Sequence, residues 1–102
     1  MITSLNNGRI RHAIQLKEKS RIRNEEGLFV AEGFKMFEEA PLSKIREIYC
    51  REDVRQRMEE SYRKAPPDKL SGIYEKIMSC QKQETVVETV TEEVFRNFLL
   101  HI

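Results

Sequence analysis

Cysteine is scarce in this chain. Cys50 and Cys80 stand thirty positions apart, with no CxxC pair and no Cys/His cluster beside them, which argues against a zinc site. Without a secretory context they read as reduced thiols, at least one of them buried. The opening residues Met1-Ile2-Thr3-Ser4-Leu5-Asn6 lack the charged-then-apolar layout of a signal peptide. No apolar run approaches the ~20 residues that span a bilayer, so the chain is expected to be soluble and cytoplasmic, with no membrane partner. Histidine is limited to His12 and His101, and GxGxxG, P-loop, HExxH and GxSxG motifs are all missing. The adjacent acids Glu25-Glu26, Glu38-Glu39, Glu59-Glu60 and Glu92-Glu93 read as solvated helix faces, because catalytic carboxylates need a pocket. No catalytic residue and no metal ligand can be named.

What the chain does have is charge, unevenly spread. Charged residues make up 34% of it, against about 25% in an average domain, and the net charge is only +1. Residues 1–24 hold six basic side chains (Arg9, Arg11, Lys17, Lys19, Arg21, Arg23) and one acid, Glu18, a local balance of +5. The remainder holds twelve basic and sixteen acidic side chains, a balance of −4. An anionic partner is therefore drawn to one end. Arginine forks and lysine ammonium groups there suit phosphate, although a solvated helix face has the same composition.

The length fits one domain, residues 1–102. Asn6-Asn7-Gly8 marks a helix entry, since Asn side chains accept from the free amides of a first turn. Ile10, Ala13 and Ile14 then share a face. The segment up to Glu26 is either one helix or, better, two meeting near Lys17-Glu18, and Gly27 stops it. Leu28-Phe29-Val30-Ala31 is apolar on successive positions and predicts a central strand covered on both faces. A helix over 33–40 follows, with Phe34, Phe37 and Ala40 inward, closed by Pro41. A strand over 45–50 comes next, then a helix over 52–64 with Val54, Met58 and Tyr62 on one face. The loop 65–68 is a break, followed by a helix over 69–80 capped by Asp68 with Leu70, Ile73, Ile77 and Cys80 inward. A strand over 85–90 and a Thr91-capped helix burying Val94, Phe95, Phe98 and Leu99 complete the chain. This alternation predicts an α/β fold: a small three-layer domain whose mixed sheet of at least three strands carries helices on both faces.

The ordered set Ile2-Thr3-Ser4, Asn6, Leu16-Lys17-x-Lys19-x-Arg21 and Gly27-Leu28-Phe29-Val30-x-Glu32-Gly33 resembles the opening of the SpoU (SPOUT, TrmH-like) RNA 2′-O-ribose methyltransferases. The stretch Val90-Thr91-Glu92-Glu93-Val94-Phe95-Arg96-Asn97-Phe98-Leu99 is similar to a late helix of the same N-terminal domain, whereas 51–84 matches weakly and Asn7-Gly8 stands where many relatives have Pro. The resemblance implies a fold like that of the ribosomal proteins that bind kinked RNA. It implies a domain that recognises RNA, ribosomal RNA above all, for an enzyme whose knotted second domain binds S-adenosylmethionine. It also implies that these residues alone are inactive, that the chain stops before the family's last strand and catalytic domain, and that the fragment is a monomer whose parent dimerises through that domain. By position, Arg21 contacts RNA with Asn6 and Lys19 nearby, and the RNA-binding set is Asn6, Arg9, Lys17, Lys19, Arg21, Arg23 and Glu32. Glu32 is equally well read as an acid favoured at a helix start. A stand-alone RNA-binding or ribosome-associated protein of the same fold, and a basic helix that meets an acidic protein, are the other readings.

Overall fold

A computed structural model describes residues 1–64 and 67–99 and, for Phe98 and Leu99, the backbone only. Nine elements run in order: α1 (Gly8–Glu18), α2 (Ser20–Glu26), α3 (Phe34–Glu39), a 3₁₀ turn (Leu42–Lys44), β1 (Glu47–Arg51), α4 (Glu52–Arg63), α5 (Lys69–Lys82), β2 (Val86–Val90) and α6 (Glu92–Leu99). The result is a small α/β domain that is mostly helical.

Local signals set most of the boundaries. The Asn7 side chain accepts from the amides of Arg9 (2.9 Å) and Ile10 (3.4 Å), capping α1. Gly27 ends α2 in the left-handed conformation, at φ 66°, which a residue with a side chain adopts only under strain. Asp68 and Ser71 form a reciprocal capping box at the start of α5. The Thr91 hydroxyl accepts from the Val94 amide at 3.2 Å and starts α6.

β1 and β2 pair in parallel, with Glu47 opposite Val86 and Arg51 opposite Val90. Parallel neighbours need a long crossover, and the α4–α5 hairpin supplies it. Ile2 adds a single parallel bridge to Val90 on β2. Alternation along the strands divides the apolar residues between two clusters. Ile2, Ile10, Val90 and Val94 form one, with Leu5, Ile14, Tyr49 and Phe95 against it. Met58, Ile73 and Ile77 form the other, joined by Phe37, Ile48, Cys50, Val54, Leu70, Tyr74 and Val87. α1 and α6 thus supply the first cluster, and α4 and α5 the second.

Three expectations need correction. The sheet among the described residues has two strands, both parallel, rather than three or more in a mixed arrangement. The expected central strand over 28–31 has no ladder partner: Leu28 donates back to the Arg23 carbonyl (3.2 Å), and Phe29 is 73% exposed. Strand propensity expresses fit to a neighbouring pleated surface, and among the described residues no strand pairs with this segment. Phe34 and Tyr62, expected inside, are 39% and 46% exposed. The proposed break at Ala65 and Pro66, and the inward placement of Phe98 and Leu99, lie outside the described residues.

One side chain of α5 makes several contacts to α3. The Lys76 ammonium donates to the carbonyls of Phe37 (2.5 Å), Glu38 (2.9 Å) and Ala40 (2.7 Å) and sits 5.0 Å from the centre of the Phe37 ring. A cation placed on the free carbonyls of a helix C-terminus satisfies them and complements the dipole.

Candidate nucleic-acid interface

The basic segment folds into an elbow. α1 ends at Lys19, whose extended backbone (φ −119°, ψ 109°) breaks the helix, and α2 starts at the next residue. Ile10, Ala13 and Leu16 are buried, so Arg11 and Gln15 stand on the face of α1 opposite Ala13.

Tertiary partners divide the seven expected RNA-binding residues. The Arg9 guanidinium lies 3.7 Å from the Glu47 carboxylate, which also accepts from the Tyr49 hydroxyl at 2.5 Å. Burial, then the bond to Glu47, pushes the Tyr49 hydroxyl well above its ordinary range. The Lys17 side chain is only 6% exposed and is ion-paired with Glu32, so these two expected contacts meet each other. Arg23 is half-buried, and its Nη1 donates to the carbonyls of Leu16 (2.8 Å) and Lys17 (2.9 Å). Arg21 is 73% exposed, with a loose contact to Glu25 at 3.5 Å one turn along α2. Lys19 is exposed with no side-chain partner among the described residues. Asn6 is exposed, and its amide donates to the Ser4 hydroxyl at 3.1 Å.

Sequence reasoning left two side chains out of the set. Arg11 is exposed with no side-chain partner among the described residues, and it lies away from the buried stripe of α1. His12 Nε2 lies 2.8 and 2.9 Å from the two carboxylate oxygens of Glu26, tying α1 to the end of α2; nothing in the local pattern announces that contact. Arg11, Lys19 and Arg21 are therefore exposed cations of this segment, and Arg9, 48% exposed, is a fourth that faces Glu47.

A family model described as the MRM3-like substrate binding domain matches residues 7–98. The chain belongs to this family. MRM3-like domains of this kind are the N-terminal substrate-binding domains of SpoU-family rRNA methyltransferases. No curated protein and no solved structure matches the chain significantly. The matched span of this MRM3-like domain runs from α1 into α6 and contains the whole elbow.

Two shallow grooves, one beside Arg46 and Glu84 and one between Thr3 and Asn97, measure about 250 and 190 Å³. Small-molecule sites usually occupy ~300–1,000 Å³ and enclose their ligand, and both grooves are smaller and more open than that. Among the described residues no cluster of three or more His, Cys, Asp or Glu could hold a metal ion. No described helix is long and apolar enough to cross a membrane.

Proposed function

We propose that this domain recognises structured ribosomal RNA for an S-adenosylmethionine-dependent ribose 2′-O-methyltransferase, and that it does so through phosphate contacts at the α1–α2 elbow. The observation that carries the reading is the exposure of Arg11, Lys19 and Arg21 on a substrate-binding domain of the rRNA methyltransferase family. A phosphate contact needs a cation that can leave water for an anion without first breaking a protein bond. Arg11 and Lys19 satisfy the requirement, and Arg21 gives up only a loose, solvent-exposed contact to Glu25, with Asn6 adding a neutral donor at the entry to α1. Lys17 and Glu32 hold the frame instead, since they are paired with each other, and Arg9 faces Glu47, whose carboxylate also accepts from Tyr49. The methyl transfer itself, and with it S-adenosylmethionine and dimerisation, belongs on this reading to other parts of the enzyme, working in the cytoplasm.

Fluorescence anisotropy with labelled ribosomal RNA fragments tests the assignment. Phosphate-dominated binding on the order of micromolar is expected. Arg11→Ala, Lys19→Ala and Arg21→Ala each weaken it while leaving the melting temperature nearly unchanged, because exposed substitutions usually stay within about 0.5 kcal/mol. Arg57→Ala, on α4 beside Asp53, serves as the control and leaves affinity unchanged. Full affinity in all three elbow variants would remove the elbow from the interface.

A further inference from the structure

We infer that Arg23 is the positioning residue of the RNA interface, acting by locking α2 against the end of α1 rather than by touching phosphate; the inference rests on the RNA reading above. α2 has seven residues, buries none of them and has no side-chain cap at its start. A helix of that length does not hold itself in water, where fewer than about 12 residues are marginal. Its place must come from outside, and polar latches supply it. The Arg23 Nη1 bonds the carbonyls of both Leu16 and Lys17 in the last turn of α1, where carbonyls have no partner within the helix. His12 holds Glu26 at the far end of α2.

The latch has a directional consequence. Residues two apart on a helix point about 200° from each other, at 3.6 residues per turn. Turning Arg23 inward onto α1 therefore turns Arg21 outward, in agreement with its 73% exposure. Lys19, the residue between the two helices, is fixed by the same clamp from both sides. A guanidinium occupied by two carbonyls has its positive charge placed against the negative end of α1, and it is half-buried besides. Arg23 thus sets the geometry in which Lys19 and Arg21 meet consecutive phosphates.

A double-mutant cycle on the 102-residue chain separates positioning from contact. RNA affinity is measured against salt for the wild type, Arg23→Ala, Lys19→Ala and the double variant, with amide exchange of the free proteins alongside. Arg23→Ala is expected to weaken binding about tenfold or more. It should flatten the log–log salt slope by about 1.4, the equivalent of two single-strand phosphate contacts at about 0.7 each. Lys19→Ala then adds no more than about twofold in the Arg23→Ala background, because coupled residues are not additive. Amides of α2 exchange faster, while those of α4 and α5 keep their protection, which also certifies the fold. Arg23→Lys, whose ammonium can bridge carbonyls as Lys76 does, restores α2 protection and affinity together. A slope change of only about 0.7 with multiplicative effects of Lys19→Ala, or affinity restored by Arg23→Lys without α2 protection, makes Arg23 a direct contact and overturns the inference. Faster α2 exchange with unchanged affinity overturns it as well. Failure of the wild type to bind any RNA fragment removes the RNA reading itself, an outcome distinct from the others.

Discussion

Replacing Lys76 by Met isolates the force that holds α3 to the domain. The aliphatic stem is kept, while the ammonium and its bonds to the carbonyls of Phe37, Glu38 and Ala40 are lost. A hydrogen bond to a charged group contributes about 1.5–3 kcal/mol net, and the three bonds share one ammonium, so they do not sum. The cation over the Phe37 ring adds about 0.5–1 kcal/mol. Against this stands the cost of half-burying the ammonium, which leaves about 2–3 kcal/mol for docking α3. Little else substitutes: Phe37 reaches the α4–α5 cluster, and Lys69–Glu38 is an exposed pair at 3.6 Å. The Phe37 and Ala40 amides, bonded to the Gly33 and Met36 carbonyls at the two ends of α3, report on local opening. At about 1.36 kcal/mol per decade, Lys76→Met should speed their exchange about 30- to 150-fold. The α5 amides away from the substitution should change little. Unchanged exchange in α3 would mean that the Phe37 contact alone docks the helix. A uniform loss across all elements would mean that α3 and the body unfold as one unit.

Three other outcomes follow from particular residues. Met58, 1% exposed at the centre of the α4–α5 cluster, should cost about 2–5 kcal/mol on substitution by Ala, read as a large drop in melting temperature. Burial pushes the Cys50 thiol from its ordinary 9.0 up to about 11, so the folded state keeps its proton longer than the unfolded chain does. Its contribution is complete below pH 9 and lost as pH rises through about 11; the melting temperature should fall across that window, and less steeply in Cys50→Ala. The amides of Phe29, Val30 and Ala31, which have no bonded carbonyl among the described residues, should exchange far faster than those shared between β1 and β2.

Helices were legible because their signals are local. The two-helix division of the basic segment, the stop at Gly27, the caps at Asp68 and Thr91, and the inward Met58, Ile73, Ile77 and Cys80 all follow from neighbours a turn or less away. Residues 28–31 were misread because their β-branched and aromatic character states a preference that only a neighbouring strand can satisfy. The interface was legible as a concentration of cations and no further. Which cation is available depends on distant chemistry: Glu47 engages Arg9, Glu32 engages Lys17, and the end of α1 engages Arg23. Arg11, by contrast, could have been singled out from the helical period alone, since Ala13 on the opposite face is buried.

The salt dependence of RNA affinity tests the account most directly. Three phosphate contacts, at Arg11, Lys19 and Arg21, give a log–log slope of about −2 on a single-stranded or unpaired region, at about −0.7 each. The variant with all three replaced by Ala should bring that slope close to zero and lose most of the binding, while retaining the melting temperature of the wild type. A wild-type slope near zero, or a triple variant that binds as steeply and as tightly as the wild type, would contradict recognition of RNA at this elbow.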